Sequence, residues 1–111
     1  MSKLKVLYLD DDPPNLTLFG HMFRRDFDVI TKPNGDEALA YLDHDHVDLI
    51  VTDHRMPGMS GLEFLDLVTK KFKSHLPGRI LVSGYTENDF SDAMEDQILD
   101  AYISKQTYTR R

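Results

Sequence analysis

Short apolar runs alternate with amphipathic segments along most of this 111-residue chain, and no other feature constrains its fold as strongly. Runs rich in Val, Ile and Leu predict buried β-strands, whereas apolar residues three or four positions apart predict helices. Strands that alternate with helices are typical of βα units around a parallel sheet. We therefore expect an α/β fold with a five-stranded, doubly wound sheet. The predicted strands are Val6 to Leu9, Phe27 to Thr31, Leu49 to Thr52, Arg79 to Ser83 and Ala101 to Ser104.

Four helices are predicted between these strands. The first begins at the Pro13-Pro14 pair, with Asp12 as its N-cap, and the second follows the Asn34-Gly35 turn. A chain of this length can bury one core, so a single domain is expected. The apolar stripes are Leu16, Phe19 and Phe23; Ala38, Leu39 and Leu42; Leu62, Leu65, Val68 and Phe72; and, in a helix from Glu87 to Ile98, Phe90, Ala93, Met94 and Ile98.

Composition excludes several classes of function. The chain has no cysteine, which excludes disulfides and cysteine-ligated metal sites. Its formal net charge is −6 and its basic residues form no stripe, so we expect no direct binding of nucleic acid. The N-terminal sequence has neither a signal-peptide pattern nor an apolar stretch long enough to span a membrane. These features predict a cytoplasmic protein without a membrane partner.

Acidic residues follow two of the predicted strands. Asp10 and Asp11 come directly after the first strand, and Asp53 comes after the third. If the strand order is 2-1-3-4-5, these strands are neighbours, and ligands of such sheets bind at the carboxyl ends of the strands. Three carboxylates in one place repel one another unless a cation lies between them. The pattern predicts a Mg²⁺ site, and the alternative is a solvated acidic turn at Asp10 and Asp11.

Four motifs give the chain a family resemblance. Residues 6–13 (VLYLDDDP), 48–61 (DLIVTDHRMPGMSG), 80–84 (ILVSG) and 102–105 (YISK) resemble the receiver domain of response regulators in bacterial two-component systems. The likeness extends over nearly the whole chain. It implies a flavodoxin-like sheet of order 2-1-3-4-5, and it implies that residues 1–111 are a receiver domain, the N-terminal part of a longer regulator.

The resemblance also implies a role for individual residues in a regulatory domain that is not an enzyme proper. The expected donor of the phosphoryl group is a sensor histidine kinase or a phosphotransfer protein, and the expected recipient of the signal is an output domain or effector protein. The implied site consists of Asp53 as phosphoacceptor, Asp10 and Asp11 as the acidic pair for Mg²⁺, the backbone carbonyl of Arg55 as a further ligand, Ser83 as the hydroxyl residue, Lys105 as the lysine and Tyr102 as the switch aromatic.

A physical account of the switch follows from these roles. Phosphorylated Asp53 would offer acceptor oxygens to the Ser83 hydroxyl, which would draw in the loop after the fourth strand and let Tyr102 rotate. Arg55 and Tyr85 stand two positions after Asp53 and Ser83. Because both are bulky and close to the entry of the site, we expect them to slow the loss of the phosphoryl group.

Two other functions stay open at this point. Asp10-x-Asp12 after an apolar strand resembles the nucleophile motif of haloacid-dehalogenase-type phosphatases, and a receiver-like module could act without phosphorylation.

The resemblance to receiver domains further implies a helix after Lys105, where only Gln106 to Arg111 follow. We therefore expect apolar residues on one side of strands one, three and five to lack cover, and we expect self-association as a homodimer.

Overall fold

The computed structural model describes residues 3–84 and 90–104. These residues form strands and helices in strict alternation, as the sequence predicts. Four of the predicted strands gain one or two residues, and Ala101–Ser104 has the predicted bounds. The elements are β1 (Leu4–Leu9), α1 (Pro13–Phe23), β2 (Phe27–Lys32), α2 (Gly35–His44), β3 (Leu49–Asp53), α3 (Gly61–Lys71), β4 (Gly78–Ser83), α4 (Ser91–Glu95) and β5 (Ala101–Ser104).

The five strands pair in parallel in the order β2-β1-β3-β4-β5, which confirms the predicted topology. The order reverses at β1, whose neighbours are β2 on one side and β3 on the other. In the register of the sheet, Leu9 lies opposite Thr52 of β3, and Asp53 lies opposite Val82 of β4. The carboxyl ends of these three central strands therefore lie at one edge of the molecule.

Alternate residues of the central strands β1, β3 and β4 enter two separate cores. Leu7 and Leu9 point into the larger core, which the sheet shares with α2, α3 and α4. Val6 and Tyr8 point into the smaller core, where they meet Phe19 of α1. This alternation follows from the two-residue period of a strand and shows helices packed on both faces of the sheet, as a doubly wound fold requires.

An open apolar groove lies on the α1 side of the sheet. Its volume is about 210 Å³, and it borders the smaller core. Uncovered apolar residues are predicted on one side of strands one, three and five, and the association of two copies through such a surface stays a prediction. The groove is lined by Val6, Phe19, Phe23, Phe27, Leu49, Val51, Ile80 and Ile103.

The fourth helix is shorter than the sequence predicts. The sequence predicts a helix from Glu87 to Ile98, whereas α4 begins at Ser91, after the N-cap Phe90, and ends at Glu95. Gln97 has a φ of 63°, and its N–H donates to the Met94 carbonyl, while the Ile98 N–H donates to the Ala93 carbonyl. This pattern is a Schellman motif, which ends a helix through one left-handed residue. Glycine usually fills that position, so Gln97 gave no sequence signal for the end.

No helix in the described ranges is long and apolar enough to cross a membrane.

Candidate functional site

Three carboxylates meet at the carboxyl ends of β1 and β3. Asp53 is the last residue of β3, and Asp10 and Asp11 follow β1. One oxygen from each of the three lies within 4.8 Å of the others. Asp10 and Asp53 are buried, with 1% and 5% of their surface exposed, whereas Asp11 is exposed. Within residues 3–84 and 90–104, no other group of three or more acidic, histidine or cysteine side chains converges in this way.

The donor set fits a hard divalent cation. Carboxylate oxygens are the ligands that Mg²⁺ and Ca²⁺ prefer, and two of the three are taken out of water. Buried carboxylates of like charge destabilise one another in the absence of a counter-charge. A cation bound to Asp10, Asp11 and Asp53 would remove that repulsion, and the exposed side of Asp11 leaves a route from solvent.

The carboxylate of Asp10 is held by hydrogen bonds on both oxygens. Its Oδ2 accepts from the Tyr8 hydroxyl at 2.7 Å and from Asn15 Nδ2 at 3.2 Å, and its Oδ1 accepts from the Asp12 N–H at 3.1 Å. Asp12 is the N-cap of α1 by position, as predicted, but its side chain makes no capping hydrogen bond. The backbone of Asp12, rather than its carboxylate, therefore contributes to the site.

The main chain around Asp53 is fixed on both sides. The Thr52 hydroxyl donates to the Asp53 carbonyl at 3.0 Å, and the His54 N–H donates to the Val82 carbonyl at 2.9 Å. The chain then turns back so that the Gly61 N–H donates to the His54 carbonyl at 2.8 Å. The alpha carbon of Gly61 comes so near that a Cβ there would overlap the Asp53 carbonyl oxygen.

A capping box starts the helix that brings Gly61 to this position. The Ser60 side chain accepts from the Glu63 N–H at 3.1 Å, and the Glu63 carboxylate accepts from the Ser60 N–H at 2.9 Å. The reciprocal pair fixes where α3 begins and places its first residue against the end of β3.

The expected switch residues lie on the next two strands. Ser83 ends β4 one residue beyond the register partner of Asp53, and it is 4% exposed. Tyr102 lies on β5 and is half-buried. Its ring packs edge-on against Phe90 with centroids 5.3 Å apart, and Phe90 packs in the same way against His54 at 5.0 Å. An aromatic series therefore connects the residue after Asp53 to Tyr102.

Burial lowers the pKa of His54, and the positive charge of Arg55 lowers it further. Both effects favour the neutral form of the ring. It packs against Phe90, and its Nδ1 has no hydrogen-bond partner among the described residues.

The remaining predicted residues are less constrained. Arg55 lies two residues beyond Asp53, the last residue of β3, and its side chain is exposed. Lys105 and Tyr85 lie outside the described residues, as do Gln106 to Arg111, where the sequence analysis expects a further helix.

Tyr8, Asn15 and Gly61 all shape the site, although none of them is among the site residues predicted from the sequence. The signal for Tyr8 was available, because residues two apart on a strand project from the same face and Tyr8 precedes Asp10 by two. Asn15 and Gly61 act across tertiary contacts, which a one-dimensional pattern does not show.

Residues 6–111 match the family model described as the response regulator receiver domain. This chain belongs to that family. It is 36% identical over 84 residues to the hydrogenase transcriptional regulatory protein HoxA of Cupriavidus necator, which covers 76% of this chain and 17% of the relative. It is 38% identical over 74 residues to the transcriptional regulatory protein FlgR of Helicobacter pylori, which covers 64% and 19%. The receiver chain thus spans about a fifth of the length of these regulators.

Solved structures of response regulators have the same fold as this chain. The response regulator TrrA of Thermotoga maritima, crystallised in complex with Mg²⁺-BeF, matches with a TM-score of 0.80 and 28% identity over 99% of this chain and 91% of that one. The chemotaxis response regulator CheY4 of Vibrio cholerae has a TM-score of 0.80 at 24% identity, covering 94% and 88%, and supports the fold alone.

Proposed function

We propose that this receiver domain is a phosphoacceptor switch in which Asp53 takes a phosphoryl group while Mg²⁺ is bound by Asp10, Asp11 and Asp53. The convergence of these three carboxylates within 4.8 Å, at the ends of neighbouring strands, is the observation that carries the proposal. Mg²⁺ in the TrrA complex supports the choice of ion. The expected donors are a sensor histidine kinase or a phosphotransfer protein.

For this transfer the protein must position the reacting groups and stabilise the negative charge of the phosphoryl oxygens. An oxygen of the Asp53 carboxylate forms a bond to phosphorus while the bond from phosphorus to the donor nitrogen breaks, and the donor imidazole then takes up a proton. Mg²⁺ bound at the acidic group would offset the negative charge of the equatorial phosphoryl oxygens. Lys105 is proposed to contribute a second positive charge, and the Arg55 carbonyl a further ligand.

Ser83 and Tyr102 are proposed to convert phosphorylation into a new binding surface. The hydroxyl of Ser83, at the adjacent strand end, would donate to a phosphoryl oxygen on Asp53, and Tyr102 would change rotamer against Phe90. An output domain or effector protein would read that surface. The domain would act in the cytoplasm, where such donors work, and its role would be regulatory rather than enzymatic.

Intact mass spectrometry tests the proposal. With a small acyl phosphate donor and Mg²⁺, the chain should gain the mass of one phosphoryl group, because donors of this kind require only a positioned carboxylate and charge stabilisation. The gain should vanish when EDTA removes the metal. A chain that binds Mg²⁺ but gains no mass would support the non-phosphorylated module and contradict the switch.

The lifetime of the phosphorylated form gives a further prediction. Arg55 and Tyr85 are proposed to restrict the approach of water in line with the phosphorus atom, so the double variant Arg55→Asn with Tyr85→Ala should lose its phosphoryl group faster than the parent. The measurement is first-order loss of phosphate after the donor is removed. Arg25→Asn, a change of the same kind far from the site, is the control. Equal rates in the double variant and the parent would show that these side chains do not control water access.

A further inference from the structure

Tyr8 is a buried tyrosine with its hydroxyl directed at a carboxylate of the site. Tyr8 has 1% of its surface exposed, and its ring stacks on that of Phe19 with centroids 4.0 Å apart and an interplanar angle of 4°. A buried tyrosine hydroxyl needs a polar partner, and here Asp10 Oδ2 accepts from it at 2.7 Å. A neutral donor on an ionised acceptor at this distance is a strong, charge-assisted hydrogen bond. The stacked ring therefore fixes where that donor lies.

The hydrogen bonds on Asp10 differ between its two oxygens. Oδ2 accepts from both Tyr8 and Asn15, whereas Oδ1 accepts from the Asp12 N–H. A carboxylate has about four lone-pair positions in all, two on each oxygen. The two donors on Oδ2 fill its positions, so Oδ1 keeps the free position that can face an ion or its bound water.

Mg²⁺ is demanding about the direction of its ligands because its coordination is close to octahedral. A ligand held by hydrogen bonds behind it needs no reorientation when the ion arrives, and such supporting residues contribute strongly to metal affinity. We infer that Tyr8, together with Asn15, is a positioning residue that fixes the carboxylate of Asp10 for Mg²⁺ binding. The inference rests on the metal site proposed above.

The test is the dissociation constant for Mg²⁺, measured by NMR titration of the backbone amides. Tyr8→Phe deletes the hydroxyl and keeps the ring stacked on Phe19, so Mg²⁺ affinity should fall roughly tenfold. Asn15→Ala should weaken binding in the same direction by a smaller factor, since its bond is longer. Tyr41→Phe is the matched control: its hydroxyl also donates to an aspartate, Asp45 at 2.9 Å, but on the exposed surface. The Mg²⁺ affinity of Tyr41→Phe should equal that of the parent.

A double variant separates positioning from a general loss of structure. In an Asp10→Ala background, Tyr8→Phe should leave Mg²⁺ affinity unchanged, because the residue through which it acts is absent. An equal loss in both backgrounds would overturn the inference, as would unchanged or tighter binding in Tyr8→Phe itself.

The Asp11→Asn variant distinguishes this failure from failure of the site. If Asp11→Asn weakens binding and Tyr8→Phe does not, the site stands and the role of Tyr8 is rejected. If the parent binds no Mg²⁺, the site and the positioning role are both rejected.

Discussion

Replacing Gly61 with alanine should destabilise the domain by about 3 kcal/mol, the upper range for overpacked positions. A Cβ at this position would overlap the Asp53 carbonyl oxygen and lie 2.9 Å from Leu81 Cδ1. The carbonyl cannot retreat easily, because hydrogen bonds hold the main chain at Thr52 and His54. Relief of the overlap therefore requires the end of β3 to shift together with Asp53, and displacement of a reacting group by about 1 Å can slow a reaction roughly 100-fold.

Gly20 provides the matched control for this change. It lies inside α1, and a Cβ there would meet nothing within 4 Å. Gly20→Ala should therefore stabilise the domain by roughly 0.5 to 1 kcal/mol, the ordinary gain of alanine over glycine in a helix. Urea unfolding measures both variants, and the phosphorylation rate should fall in Gly61→Ala alone. A Gly61→Ala domain as stable as the parent would show that the close approach at Asp53 is not rigid.

Asp53→Asn should abolish phosphorylation. Asparagine keeps the shape of the side chain, but its neutral amide is no substitute for the carboxylate nucleophile. Intact mass with an acyl phosphate donor and Mg²⁺ should show complete loss of the added group. The same experiment on Asp66→Asn, at a partly exposed position on α3, should show normal labelling.

The pattern of labelling also decides between the two phosphoryl chemistries. The phosphatase alternative uses Asp10 as the nucleophile and Asp12 as acid and base, so labelling that survived in Asp53→Asn and disappeared in Asp10→Asn would favour it. Asp12 is exposed and lies outside the group formed by Asp10, Asp11 and Asp53, and the chain matches the receiver-domain family.

Much of the fold could be predicted because its signals are local. Buried strands such as β3 read as continuous apolar runs, and strand ends next to Asp10 and Asp53 indicate where polar groups gather. The three-carboxylate group needed one further premise, the strand order, and that order is confirmed.

The missed features depend on geometry that the pattern does not encode. The end of α4 rests on a left-handed Gln97, a residue with no special preference for that conformation. The contact of Gly61 with Asp53 arises because α3 is capped at Ser60 and returns to the strand end. Asn15 reaches Asp10 only once α1 is folded beside β1.

The aromatic series from His54 through Phe90 to Tyr102 provides an intrinsic NMR probe of the position of Tyr102. Each ring alters the magnetic environment of the next, and the two edge-on contacts have centroids 5.0 and 5.3 Å apart. A rotation of Tyr102 on β5 would alter the packing of Phe90 and hence the ring-current shift felt by the His54 protons. Burial lowers the pKa of His54, which favours the neutral ring and reduces the effect of its own titration on those protons near neutral pH. Their resonance frequencies can therefore follow the position of Tyr102 in the unlabelled protein, including any population that rotates before a phosphoryl group is present.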